Sequence, residues 1–167
     1  MSISSKALLH TAYRVDLSHP QSLAVANDVL KHTPLIDGHI DLPVLARHIN
    51  GGNIASLPYN LSLPGQVDLP RLHRGRAGGF FSIAYVPCGD EIGIPEGENW
   101  TSPTNAVRDT LEQIDVSYLL EHHFPNDVAV ASSVADIRRA FADHKIAHIP
   151  AIEGAHSLGN SLGALRS

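Results

Sequence analysis

Gly79-Phe80-Phe81-Ser82-Ile83-Ala84-Tyr85-Val86 is the clearest strand in the 167-residue chain. It is apolar almost without interruption, as a strand covered on both faces must be, and lacks the alternation of a sheet with one wet side. Working outward, Ile146 to Ile152 reads as another buried strand, Pro34 to Ile40 as a shorter one, and Val128 to Val130 as a brief fourth. Helical spacing fills the intervals. Ser18-His19-Pro20 reads as an N-cap with an early proline, and Leu23, Ala26 and Leu30 form an apolar stripe that Thr33-Pro34 ends. Leu42, Leu45, Ala46 and Ile49 follow the helical period up to Gly51-Gly52, and Asp68 caps a short helix over Leu69 to Arg74. Thr101-Ser102-Pro103 opens a long helix to about His123 with Val107, Leu111, Ile114 and Tyr118 on one face, and Ser133 caps a helix carrying Ile137 and Phe141. Residues 53–66 and Pro87 to about Ser102 read as loops, and a last helix begins between Leu158 and Ser167. Apolar strands alternating with helices define an α/β class with a parallel sheet.

Composition narrows the function. At 17.9 kDa, with 43% hydrophobic and 17% charged residues, the chain has a globular composition. A net charge of −5 without a basic face argues against nucleic acid. No apolar run reaches the roughly 18 residues of a membrane span. Cys88 is the only cysteine, so no disulfide closes within the chain. No apolar leader segment is visible, which gives a cytoplasmic expectation. Asn60-Leu61-Ser62 and Asn99-Trp100-Thr101 match the glycosylation pattern and are expected to be chance matches.

The sharpest chemical signal is His39-Ile40-Asp41 at the end of the first strand. Residues i and i+2 of a strand share a face, so the pair would project together toward a divalent metal. The competing reading is an ordinary histidine beside an aspartate that caps the next helix. Glu153 leaves the Ile146 to Ile152 strand at the same end; it either joins His39 and Asp41 around a metal or forms a salt bridge or a solvated loop position. His156 lies close enough in sequence to contact the substrate or the ligands. Gly159-Asn160-Ser161-Leu162-Gly163 matches the nucleophile-elbow pattern, but no histidine follows to complete a triad. His122-His123 reads as a helix C-terminus, and Arg71, His73, Arg74 and Arg76 as a solvated basic face. No residue is assigned a catalytic role beyond the ligands.

Four ordered strings carry a family resemblance. Leu35-Ile36-Asp37-Gly38-His39-Ile40-Asp41-Leu42-Pro43, Asp68 to Gly79, Tyr85-Val86-Pro87-Cys88 and Ile152-Glu153-Gly154-Ala155-His156-Ser157-Leu158 resemble the membrane (renal) dipeptidase family of zinc peptidases. The resemblance implies an incomplete TIM-like (β/α) barrel with only the N-terminal strands and helices, residues 34–167, preceded by a helical lead-in over 1–33. It implies His39 and Asp41 as ligands of a first Zn2+, Glu153 bridging to a second, a dipeptide substrate, and a possible homodimer. The second zinc of that family takes two histidines from later strands, which these 167 residues do not include. In some animal relatives the cysteine of the Val-Pro-Cys string is disulfide-bonded. The expected function is hydrolysis of dipeptides; the alternative is an inert truncated paralogue or gene-model fragment with part of the metal site. Another amidohydrolase type would begin with H-x-H, which Asp41 contradicts.

Overall fold

A computed structural model describes residues 20–51, 53, 56–87, 105–159 and 161–166. The chain divides into two compact units, Met1–Thr33 and Pro34–Ser167. The first contributes helix α1 (Pro20–His32), which ends on Lys31 and His32, with the His32 ring 2.9 Å from the Asp28 carbonyl. Leu23 and Ala26, expected on a packed stripe, are exposed instead; the buried residue of this helix is Ser22. Helical spacing reports which residues share a face, not whether anything covers it.

The second unit is a four-stranded parallel sheet of β1 (Leu35–Ile40), β2 (Ala77–Ala84), β3 (Val128–Val130) and β4 (Ile146–Ile152), in the order β1-β2-β4-β3. Helices α2 (Leu42–Asn50) and α3 (Leu69–Arg74) connect β1 to β2, α4 (Ala106–His123) connects β2 to β3, and α5 (Val134–Ala142) connects β3 to β4. A 3-10 turn (Ala155–Leu158) and α6 (Leu162–Arg166) follow. The chain crosses the sheet one way as far as β3 and then turns back to β4. With right-handed crossovers, that reversal puts α5 on the opposite face from α2 and α4. The packing agrees. Phe80, Val128 and Ile146 share one core with Leu42 and Ala46 of α2 and Val116 and Leu120 of α4, while Ala147 packs in another with Ala131 and Ala140.

The strands depart from expectation where their neighbours dictate it. β2 starts and stops two residues early, and its glycines let adjacent strands close in: a Cβ on Gly78 would lie 2.5 Å from the Pro34 Cβ, and one on Gly79 2.7 Å from the Ala147 carbonyl. β1 is not the buried strand expected. It lies at the sheet edge, and Leu35 is 51% exposed. β4 is buried only through His148, where its pairing with β3 ends, and Ile152 is exposed.

The long helix turns half of its expected apolar face outward, leaving Val107 and Ile114 half-buried. Leu111 and Tyr118 are 59% and 54% exposed, while Thr110, Gln113, Val116, Ser117 and Leu120 are buried. Periodicity missed this face because three of its five residues are polar and are buried with hydrogen-bond partners. The start expected at Thr101 to Pro103 lies outside the described residues; the described helix begins at Ala106, and Cys88 and the Asn99 glycosylation pattern also fall outside.

The irregular stretch before α3 belongs to the core through Leu57, Tyr59 and Leu63. Asp68 holds it, accepting from the Arg71 amide at 2.8 Å and the Leu63 amide at 3.1 Å, with the Arg71 Nε at 3.1 Å. Burial pushes this carboxyl up, but those amides and the guanidinium groups of Arg71 and Arg74 outweigh it and hold it below the usual carboxylate range. Arg71 therefore does not lie on a solvated face; it also donates to the carbonyls of Gly65 and Leu63 and to Ser62. His73 turns to Asp127, 2.8 Å away.

His148 is fully buried against the Phe80 ring, and no hydrogen bond of good geometry reaches either ring nitrogen. Desolvation pulls it down to about 4, and the nearby Ser117 backbone offsets only part of that. The unfolded chain thus binds a proton between about pH 6.5 and 4 that the folded chain refuses, so stability falls as pH drops through that window, by about 3 kcal/mol at most. Urea midpoints at pH 7 and pH 4 should show this loss, and His148→Leu should flatten it. His144 sits at φ 58 in the turn from α5 to β4, so His144→Gly should raise the unfolding free energy by about 0.5–1 kcal/mol in the same titration.

Candidate metal centre

β1 and β4 end at the same edge of the sheet with β2 between them. The pairing of β1 with β2 slips at its end: Asp37 lies opposite Phe80 and Ile40 opposite Ser82, so three steps on one strand match two on the other. Such a bulge re-aims side chains. Ile40 enters the core, and His39 is left exposed on the way. The Asp37 carboxylate accepts from the His39 amide at 2.9 Å, which fixes the bulged backbone. Asp41 lies beyond the strand, at the N-cap of α2, but its side chain makes no capping hydrogen bond and stays available.

Glu153 immediately follows β4, its amide donating to the Ala84 carbonyl at 3.0 Å, so it leaves the sheet at the level where β2 ends. The three groups meet there. His39 Nε2 lies 3.1 Å from Glu153 Oε2 and 3.4 Å from Asp41 Oδ1. One donor atom from each residue falls within 4.8 Å of the others, and all three residues are exposed. A tetrahedral zinc with arms of about 2.1 Å sets its donors about 3.4 Å apart, so a small inward movement of these groups suffices to hold such an ion. One imidazole and two carboxylates suit a borderline divalent cation. Among the described residues no arginine forms the salt bridge weighed for Glu153; it pairs with His39.

His156 stands outside this cluster. Its Nε2 lies 2.7 Å from the Val86 carbonyl, and its ring meets Tyr85 edge-on with centroids 6.1 Å apart. Gly154 passes against that ring at φ 81, where a Cβ would come 2.3 Å from His156 Cε1. Ser161, at the centre of the elbow pattern, follows a 3-10 turn rather than a strand, and its Oγ accepts from the Ala164 amide at the start of α6. The His122-His123 pair lies exposed at the end of α4. A hollow of about 660 Å³ along α2 and α4, lined by Arg47, Arg108 and Leu111 among others, includes none of the three clustered residues. Sequence reading missed Asp37 and Gln113. The Asp-Gly pair gave some signal for the first, as a side chain that bonds to the backbone two residues on.

One imidazole and two carboxylates gathered where parallel strands end occupy the place at which α/β barrel proteins build their sites. A profile of the membrane dipeptidase family, peptidase family M19, matches residues 23–167, and the chain belongs to that family. It is 35% identical over 151 residues to the dipeptidase ataJ of Aspergillus terreus, covering 90% of this chain and 36% of that one. The structure of the probable dipeptidase PvdM from Pseudomonas aeruginosa superposes with a TM-score of 0.61 at 25% identity, covering 89% of this chain and 35% of the other. That of dipeptidase AC, a metallopeptidase of family M19, gives 0.57 at 26% identity, over 80% and 38%. The chain thus spans about a third of the length of the relatives it matches.

The bulge carries a prediction of its own. Asp37→Ala should free the His39 backbone and weaken metal binding about 10-fold, whereas Asp37→Asn keeps an acceptor oxygen and should bind nearly as the parent does; competition with a chromophoric chelator measures both.

Proposed function

We propose that His39, Asp41 and Glu153 hold zinc in a dipeptidase active site, and that the reaction is hydrolysis of the peptide bond of a dipeptide. The observation that carries this reading is the convergence of the three donors at the strand ends of a chain of the membrane dipeptidase family. A divalent cation there supplies Lewis acidity toward the scissile carbonyl and makes water more acidic. The chain's own groups match that need. His39 offers a neutral donor, Asp41 and Glu153 bring two negative charges to balance the ion, and Glu153 has a second oxygen to turn toward another cation, as the resemblance implies.

Because the chain spans about a third of its relatives' length, we assign hydrolysis to a site completed by residues outside these 167. The second reading is that the 167-residue polypeptide holds metal without turning over substrate, and the chain's share of its relatives' length favours weighing it. Zinc content of the purified chain and its action on cysteinylglycine separate the two: bound zinc with cleavage supports an active polypeptide, and bound zinc without cleavage supports the second reading. Asp41→Ala and Glu153→Ala should each abolish zinc retention, while unchanged zinc in both variants would end the ligand assignment.

A further inference from the structure

We infer that Gln113, in the middle of α4, is the positioning residue for the Glu153 carboxylate. The inference rests on the reading of His39, Asp41 and Glu153 as a metal site. Gln113 is 2% exposed, and its amide is spent on a single residue: Oε1 accepts from the Tyr85 amide at 2.9 Å, and Nε2 donates to the Tyr85 carbonyl at 2.6 Å. That is what a neighbouring strand would do. The β2 ladder to β4 stops at Ala84 and its ladder to β1 stops at Ser82, so Tyr85 is the first residue past both, and the Gln113 side chain carries the extended path one step further.

What Gln113 fixes is the floor under the Glu153 turn. The Val86 carbonyl, next along that path, meets His156 Nε2 at 2.7 Å, and the Tyr85 ring lies edge-on to the same imidazole. The imidazole in turn leaves no room for a side chain at Gly154, the residue after Glu153. From above, Ser157 Oγ donates to the Glu153 carbonyl at 2.7 Å, and the Ser157 carbonyl accepts from Thr110 Oγ1 at 3.3 Å. Thr110 and Gln113 are one helical turn apart on the buried face of α4. One helix therefore grips both segments that bracket Glu153, the end of β2 and the 3-10 turn. An apolar side chain would fill the same volume without the desolvation cost of a buried amide, so the polar choice specifies a geometry rather than adding to packing.

The test is zinc affinity of the full chain, by competition with a chromophoric chelator, read beside the melting temperature. Gln113→Met keeps volume and removes both hydrogen bonds; its zinc affinity is expected to fall about 10-fold or more. Leu120→Ala, in the core of the same helix, should melt lower yet bind zinc as the parent does. Parental affinity in Gln113→Met, or an equal loss in Leu120→Ala, would overturn the inference and leave the metal site standing. If Gln113→Met fails to fold, Thr110→Val releases the other grip: weaker binding supports the inference and parental binding overturns it. If the parent chain retains no zinc, or Asp41→Ala retains as much as the parent, the metal reading itself falls and takes this inference with it.

Discussion

The ladder between β2 and β4 sets the height of everything at the end of the sheet where His39, Asp41 and Glu153 gather. Gly79 to Ala84 pair in register with Ala147 to Ile152, and the Glu153 amide then closes on the Ala84 carbonyl. Because the strands are parallel, both reach the same edge pointing the same way, and residues distant in sequence leave the sheet side by side. A slip by one residue would turn Glu153 to the other face. Gly79 is part of what prevents this, since the Ala147 backbone occupies the space where its side chain would stand.

On the other flank the geometry is less regular. β1 is an edge strand with a bulge before its last residue, so His39 is aimed by a local irregularity tied to the Asp37 carboxylate rather than by simple alternation. Asp41 reaches the same place from outside the strand altogether, as the N-cap residue of α2. The i, i+2 argument from the sequence expects His39 and Asp41 to project together, and they do meet, but for a reason the structure replaces: strand alternation does not extend as far as Asp41, and a strand-to-helix corner brings it back.

Much of the fold was legible because it follows from apolar patterning. Each strand was found within two residues of its place, and the Asp68 and Ser133 caps were visible as polar residues ahead of helical periods. What escaped was polar. The face of α4 that packs inward carries Thr110, Gln113 and Ser117, which no hydrophobic pattern marks, while Leu111 and Tyr118 look like core and lie outside. Four basic residues crowded into one short stretch suggest a solvated Arg71, yet it is drawn in by a buried carboxylate and two carbonyls. Burial of a polar group is decided by partners that lie far away in the chain, and a single sequence does not display them.

The three clustered donors come from the two ends of the described sheet unit: His39 and Asp41 from the first strand and the corner after it, Glu153 from just past the last strand. β1 is otherwise joined to the rest of the sheet through a single neighbour. An ion shared by these residues would therefore act as a rivet across three strands, and because it binds only when they are assembled, its free concentration enters the folding equilibrium directly. Chelator and ionic supply then become determinants of how firmly the edge strand is kept, alongside temperature and acidity.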